Sequence, residues 1–187
     1  MRVFVALTLP DEFKAALAAK TETLRRKHPD FRWTPDRNLH ITLAFLGEVE
    51  RTGLHFLTGI VEDIASGTNR ISLSGSRLFT LPQKKPANVL VLGFDRGREK
   101  IAYLAERIEA GLELLAADGR YSFRPREKRP FTSHLTIARK GRKPVMLSPL
   151  ELIPVQIEAM AETVTVFESE LLREGAEYKA LAEFRLL

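Results

Sequence analysis

The chain has 187 residues, of which 44% are hydrophobic and 28% charged, and this balance is typical of a globular protein with a substantial core. It has no cysteine, which excludes disulfides and thiolate metal sites. No apolar run approaches the roughly 18 residues of a membrane-spanning helix. The apolar N-terminus is too short for a signal peptide, so a cytoplasmic protein without membrane contact is expected.

Hydrophobic periodicity and turn residues predict the elements in chain order. Strands are predicted over residues 2–9, 31–34, 39–46, 70–74, 88–94, from 134 onward, 162–167 and 178–186, the last two as a hairpin that turns at 174–175. Helices are predicted over residues 11–27, 52–66 and 97–117. Strands that follow one another directly favour antiparallel sheets, so the order predicts an α+β fold.

One eight-residue pattern occurs twice, at residues 40–47 and again 94 residues later (134 − 40) at residues 134–141. Both copies read His-x-Thr-x-Ala-x-x-Gly, with apolar residues on either side of the threonine. Two of the four histidines in the chain therefore occupy equivalent places in a duplicated motif. The duplication predicts two similar lobes, with the two motifs facing each other across a cleft.

The alternation within each copy is that of a β-strand, in which successive side chains point to opposite faces. In the first copy Leu39, Ile41, Leu43 and Phe45 are predicted to face the core, and Gly47 to end the strand. The histidine and threonine of each copy then share the opposite face. These four side chains are His40, Thr42, His134 and Thr136.

Two facing imidazoles can divide acid–base work, because a neutral histidine accepts a proton and a charged one donates it near pH 7. Phosphodiester cleavage needs both roles, since water must be activated and the departing oxygen protonated. The hydroxyls of Thr42 and Thr136 can donate hydrogen bonds to phosphate oxygens, and Arg139 can add a charge-assisted contact. Arg139 has the opposite strand parity to His134, so it reaches the cleft only if the strand bends or bulges.

Other site types fit the sequence poorly. A zinc site needs three or four converging ligands, and no phosphate-binding glycine loop is present. Neither a metal nor another cofactor is therefore expected. Trp33 and Phe131 have rings that can stack on a nucleobase, but core packing is the commoner role and is expected for both.

The formal net charge of +5 arises from clusters of lysine and arginine that favour a polyanionic partner. These clusters lie at residues 25–27, 84–85, 124–129 and 139–143. One cluster precedes the second His-x-Thr and another follows it, which brings the positive charge close to the predicted chemistry.

Several segments together resemble the two-histidine phosphoesterase superfamily and, within it, the RNA 2′,3′-cyclic phosphodiesterase branch, also called the 2′-5′ RNA ligase family. The resemblance covers nearly the whole chain, through residues 4–10, 32–35, 38–40, 45–48, 89–93, 129–134, 168–175 and Tyr178. The family usually has proline before the second histidine, where this chain has Ser133.

The resemblance implies one two-lobed domain over residues 1–187, with pseudo-twofold symmetry and both motifs lining a central cleft. It also implies metal-independent opening of RNA 2′,3′-cyclic phosphate ends to 2′-phosphomonoesters by a monomer. By analogy His40 protonates the leaving 3′ oxygen and His134 activates water, while Thr42, Thr136 and Arg139 hold the phosphate. The residues alone do not say which histidine is the acid, because the two motifs are nearly identical.

The sequence is also compatible with three other interpretations. The same site run in reverse would join a cyclic phosphate end to a 5′-hydroxyl, giving a 2′-5′ linkage. An RNA-end-binding module would use the cleft without turnover. A two-histidine enzyme could act on a different small cyclic phosphate.

Overall fold

The computed structural model describes residues 1–82, 87–117, 119, 121, 123, 130–142, 147–148, 154–172 and 175–187. The strands in this part of the chain are β1 (Arg2–Thr8), β2 (Arg32–Trp33), β3 (His40–Glu48), β4 (Ile71–Leu81), β5 (Val89–Arg96), β6 (His134–Arg139), β7 (Glu158–Ala161), β8 (Thr163–Leu172) and β9 (Gly175–Arg185). The helices are α1 (Asp11–Lys27), α2 (Arg51–Ser66) and α3 (Arg98–Ala116), with a 3₁₀ turn over Asp36–Asn38.

The strands form two antiparallel sheets. The first has the order β3-β1-β8-β9 and the second the order β2-β6-β5-β4-β7. Each sheet contains one histidine strand, which pairs with the neighbouring long strand of its own half: β3 with β1, and β6 with β5. β3 and β6 also contact each other, so the two sheets meet along these strands. The predicted α+β fold with two antiparallel sheets is confirmed.

The helices begin and end where local chemistry favours it. Pro10 precedes α1, acidic Asp11 and Glu12 occupy its first turn, and basic residues fill its last turn, which suits the helix dipole at both ends. α3 buries one stripe, formed by Ile101, Leu104, Ala105, Ile108 and Leu112. This helix follows β5 of the second sheet yet also packs on β3 of the first, so it connects the two halves.

Two strand predictions are corrected. Gly47 does not end its strand: it lies within β3, opposite Val3, with a φ of 74° that glycine adopts without strain. β7 was not predicted, because its sequence Glu-Ala-Met-Ala has low strand propensity; pairing with residues 71–74 of β4 stabilises it instead.

The predicted β8–β9 hairpin is confirmed by antiparallel pairing from Thr163 opposite Arg185 to Leu172 opposite Gly175. Residue 174 of its predicted turn lies outside the described residues, as do the basic clusters at 84–85 and 124–129 and Lys143 of the last cluster. No helix of the described residues has the length and apolar character needed to cross a membrane.

The backbone conformation at Gly97, directly before α3, can be tested by substitution. Its φ is 86°, and a β-carbon there would lie 2.6 Å from Leu73 Cδ2 and 2.7 Å from the Ser72 carbonyl oxygen. We expect Gly97→Ala to lower the free energy of unfolding by about 1–3 kcal/mol, measured by urea denaturation.

The matched control is Gly59→Ala within α2, where a β-carbon would meet nothing within 4 Å. That substitution should leave stability unchanged or raise it by up to about 1 kcal/mol. Equal effects of the two substitutions would contradict the positive φ at Gly97.

Candidate active site

The two motif histidines begin their strands and are held in the same way. The Nδ1–H of His40 donates to the Asn38 carbonyl oxygen at 2.8 Å, and that of His134 to the Thr132 carbonyl oxygen at 2.6 Å. In both cases the acceptor belongs to the residue two positions earlier. Because a carbonyl oxygen only accepts, the proton of each neutral ring is fixed on Nδ1 and Nε2 is left available for chemistry.

The motif threonines lie one strand repeat beyond the histidines and line a cleft. The Nε2 atom of His40 is 3.1 Å from the Thr42 hydroxyl oxygen, so this hydroxyl donates to the neutral ring. Thr136 lines the same cleft beside His134. Thr42, Thr136 and His134 thus line one cavity of about 1410 Å³. His40 is not among the lining residues and is joined to them by its hydrogen bond with Thr42.

Each histidine strand contains a β-bulge at the same distance from its histidine. In β3 the pairing passes from Thr42 opposite Ala6 to Ala44 opposite Val5, which leaves Leu43 as an extra residue. In β6 it passes from Thr136 opposite Val91 to Ala138 opposite Leu90, which leaves Ile137 extra. Each extra residue comes three positions after the histidine. The duplication therefore includes the backbone irregularity as well as the side chains.

The bulge reverses the alternation of the strand and turns the fifth residue after each histidine toward the cleft. In β6 that residue is Arg139, which lines the cleft as the phosphate-binding hypothesis requires. In β3 it is Phe45, which also lines the cleft and is 51% exposed. The prediction that Phe45 faces the core is therefore wrong, and Leu46 is buried instead.

Strand pairing also shows where the two halves differ. Phe4 of β1 lies opposite Phe45, whereas in the equivalent positions Val89 of β5 lies opposite Arg139. At this position one half of the cleft thus presents the aromatic ring of Phe45 and the other presents the positive charge of Arg139. The two histidines consequently lie in different electrostatic surroundings although their motifs match.

Burial lowers the pKa of His40 from 6.5 to about 4. The hydrogen bond to the Asn38 carbonyl opposes this change, because it stabilises the protonated ring, while the positive charges of Arg139 and His134 add to it. His40 is therefore neutral at pH 7 in the empty cleft.

Ser133, the position where the family usually has proline, ties the second histidine strand to α3. It is buried, and its hydroxyl donates to the Arg98 carbonyl oxygen at 2.8 Å. A proline could not make this bond, so the serine replaces a rigid approach to the strand with a hydrogen-bonded one.

Of the two aromatic residues that could stack on a nucleobase, Trp33 is partly buried and Phe131 is exposed. Trp33 packs against the core, its Nε1–H donates to the His28 carbonyl oxygen at 3.0 Å, and Arg25 covers its ring. Core packing was expected for Phe131 too, but this ring is 38% exposed and lines the cleft, because the segment before β6 runs along its mouth.

The sequence did not reveal one wall of the cleft, which comes from α3. Exposed Tyr103 contributes a ring, and four carboxylates share the same side of the helix: Glu99, Glu106, Glu109 and Glu113. Only the helical spacing of these residues could have signalled the wall, and such spacing is also typical of a solvated face. In the described part of the chain, no group of three or more histidine, aspartate or glutamate side chains is arranged to hold a metal ion.

Comparisons with known proteins agree with this geometry. Residues 7–91 match the family model described as LigT like Phosphoesterase. An RNA 2′,3′-cyclic phosphodiesterase of Thermus thermophilus is 30% identical over 191 residues, which span all of this chain and 90% of the relative. The chain belongs to the RNA 2′,3′-cyclic phosphodiesterase family.

Other relatives extend the match. A protein of the same name from Methanothermobacter thermautotrophicus is 28% identical over 193 residues, covering 100% of this chain and 99% of the relative. The crystal structure of the Thermus thermophilus protein TT0787 superposes with a TM-score of 0.87 at 28% identity, over 100% of this chain and 98% of that one. The crystal structure of E. coli LigT with 3′-AMP superposes with a TM-score of 0.75 at 25% identity, over 99% and 97%.

Membership of this family makes the chain an enzyme of the phosphodiesterase class. The interpretation as a binding module without turnover is therefore set aside. The family model covers the first histidine motif, and the full-length relatives extend the match over the second.

The lowered pKa of His40 predicts a pH dependence of stability. Between pH 6.5 and 4 the unfolded chain binds a proton at this residue and the folded chain does not, so the free energy of unfolding should fall as the pH decreases through this window. We expect His40→Gln to remove about 2–3 kcal/mol of that fall, measured by urea denaturation at several pH values.

His55→Gln, which replaces an exposed histidine of α2, is the matched control and should retain the wild-type pH dependence. If wild type and His40→Gln lose the same stability between pH 6.5 and 4, then His40 is not held neutral in the folded protein.

Proposed function

We propose that this enzyme hydrolyses 2′,3′-cyclic phosphate ends of RNA to 2′-phosphomonoesters, without a metal ion. The observation that supports this most directly is a pair of imidazoles whose protons are fixed on Nδ1, so that each Nε2 can act as the acid or base, in strands that meet at one cleft. The names of its full-length relatives, RNA 2′,3′-cyclic phosphodiesterases, support this substrate class.

The reaction requires one group that accepts a proton and another that donates one. Water attacks phosphorus while the bond to the 3′ oxygen breaks, and the phosphate stays on the 2′ oxygen. In the assignment that the family resemblance implies, Nε2 of His134 accepts the proton of the water and Nε2 of His40 donates one to the 3′ oxygen. His134 then releases its proton to solvent. His40, which is now neutral as in the empty cleft, takes up a proton again when the next substrate binds.

The acid role of His40 requires that the ring be protonated when substrate is bound. In the empty cleft it is neutral, because burial and the nearby positive charges lower its pKa to about 4. A cyclic phosphate carries a negative charge, which favours the imidazolium and offsets the positive charge of Arg139. Substrate binding and proton uptake by His40 are therefore coupled.

The two threonines and Arg139 would bind the phosphate group. Thr42 and Thr136 can donate hydrogen bonds to its non-bridging oxygens, and Arg139 can contact the charge that builds up on them. The same groups would serve the reverse reaction, in which a 5′-hydroxyl replaces water and forms a 2′-5′ linkage. The high concentration of water favours hydrolysis. Because one chain supplies both histidines, the site is complete in a single two-lobed domain and in a monomer.

The aromatic rings of the cleft support RNA over another small cyclic phosphate. Phe45, Tyr103 and Phe131 are exposed within it, and aromatic rings are the usual stacking surfaces for unpaired bases. The E. coli relative crystallised with 3′-AMP supports a nucleotide as a ligand of such a cleft. The carboxylates of α3 repel phosphates, so bases rather than backbone are expected on that wall.

The first test uses an oligoribonucleotide with a 2′,3′-cyclic phosphate end, assayed with EDTA present. We expect wild type to form the 2′-phosphate, and His40→Ala and His134→Ala each to lower kcat by about 10²–10⁴-fold. The double variant should lose little more than the worse single variant, because the two residues act as a unit. Phosphorus NMR identifies the product.

His55→Ala is the control and should retain wild-type kcat. Loss of wild-type turnover on addition of EDTA would contradict the metal-free mechanism, and a 3′-phosphate product would contradict the choice of leaving oxygen. Equal kcat/KM for the oligonucleotide and for a cyclic mononucleotide would favour a small cyclic phosphate as substrate instead.

A second test separates the acid from the base. A p-nitrophenyl phosphodiester releases a phenolate that needs no proton, so loss of the general acid should matter little with this substrate. With this substrate we expect His40→Ala to lower kcat by no more than about tenfold, whereas the kcat of His134→Ala stays strongly reduced. The opposite result would exchange the two roles.

A further inference from the structure

Three aromatic rings surround the imidazole of His40. The ring centroid of Phe4 lies 4.9 Å from that of His40, the centroid of Tyr178 lies 5.3 Å away and that of Phe167 lies 6.1 Å away. The planes of His40 and Tyr178 meet at 83°, so these two rings pack edge to face. The rings come from three strands of one sheet, β1, β8 and β9.

The three rings also support one another. Phe4 is buried at the centre of the group, with its centroid 5.2 Å from that of Phe167 and 5.0 Å from that of Tyr178. Phe167 and Tyr178 are 6.3 Å apart and half-buried. A ring that moved would lose contacts with two others, so the group forms a stiff wall against His40.

β9 holds His40 through a second connection. The side-chain amide of Asn38 donates to the carbonyl oxygen of Ala176 at 2.9 Å, and the carbonyl oxygen of Asn38 accepts the Nδ1–H of His40. Ala176 lies two residues before Tyr178. The same short segment of β9 therefore contacts the ring of His40 and anchors the residue that fixes its proton.

His134 lacks this arrangement. Among the residues that the structure describes, no aromatic ring packs against His134, and Val89 stands where the first half has Phe4. The aromatic group is therefore a feature of one half of the duplicated site and distinguishes two otherwise matching histidines.

We propose that Tyr178 is a positioning residue that, with Phe4 and Phe167, fixes the plane of the His40 ring and keeps water from it, so that His40 becomes protonated only when a phosphate occupies the cleft. This inference rests on the proposed function for its benefit to catalysis. An imidazole that stays neutral until substrate arrives does not attract a competing anion to the empty cleft. It then donates its proton to the bound substrate alone.

The charges around His40 agree with this role. Among the described residues, the charged groups that lower the pKa of its ring are Arg139 and His134, Tyr178 on β9 packs against the ring, and no carboxylate raises that pKa. Burial is the largest cause of that low pKa, and the three aromatic rings supply much of the apolar surface around the imidazole. A bound phosphate would be the first negative charge beside His40.

The test follows the titration of the His40 ring by NMR in full-length protein, free and saturated with adenosine 2′-monophosphate. In wild type we expect a midpoint near pH 4 without nucleotide and a rise of at least about one pH unit with it. Tyr178→Ala should raise the midpoint of the free protein by about one unit and lower kcat about tenfold, with KM little changed.

Tyr178→Phe retains the ring and should restore both the midpoint and kcat. Leu181→Ala removes a half-buried side chain from the same strand, and should behave as wild type in both. If Tyr178→Ala does not fold, Tyr178→Leu keeps apolar volume without the ring and should still raise the midpoint.

A free-protein midpoint that is the same in wild type and in the folded Ala or Leu variant would overturn the proposal. A loss of kcat in Tyr178→Phe as large as in Tyr178→Ala would also overturn it, because the hydroxyl of Tyr178 and not its ring would then be needed for activity. The titration needs no turnover, so it can succeed or fail independently of the proposed RNA substrate.

Discussion

The β-bulge in each histidine strand is the constraint on which the site depends. In a regular strand the histidine and threonine would share the cleft face with the residue four places after the histidine, and the fifth residue would face the core. The extra residues Leu43 and Ile137 shift that register by one, so Phe45 and Arg139 enter the cleft. Without the bulge in β6 a guanidinium would have to be buried, which is costly unless it is paired. The bulge in β6 therefore resolves a conflict between core packing and charge placement, whereas the bulge in β3 turns an aromatic ring into the cleft.

A second constraint acts on the histidines themselves. Each ring donates Nδ1–H to a carbonyl oxygen that lies two residues earlier, before the first strand residue. Where the chain enters the strand, that carbonyl precedes the β-ladder and is available to accept this bond. Both histidines stand first in their strands, at the position where this acceptor is available. The tautomer of each ring is thus set by the backbone path.

Much of the fold and of the candidate site could be predicted from the sequence, because the patterns that indicate them lie within short segments. The duplicated motif, the strand alternation before each threonine and the amphipathic stripe of α3 each lie within one element. The residues that the sequence did not reveal depend on contacts between distant segments. Phe45 and Phe131 are expected in the core until the register and the chain path are known. Tyr178 meets His40 only through the pairing of β1 with both β3 and β8, and of β8 with β9.

The differences between the halves matter as much as their symmetry. In-line displacement at phosphorus requires one group beside the attacking oxygen and another beside the leaving oxygen, and two strands related by duplication naturally supply a pair on opposite sides. A strictly symmetric pair would nevertheless give both imidazoles the same intrinsic proton affinity, so neither would be assigned to accept or to donate the proton. The aromatic group around His40 and the guanidinium of Arg139 remove that symmetry, since one half contributes an apolar environment and the other a positive charge. Duplication places the two imidazoles, and the divergence of the neighbouring strands gives them different surroundings.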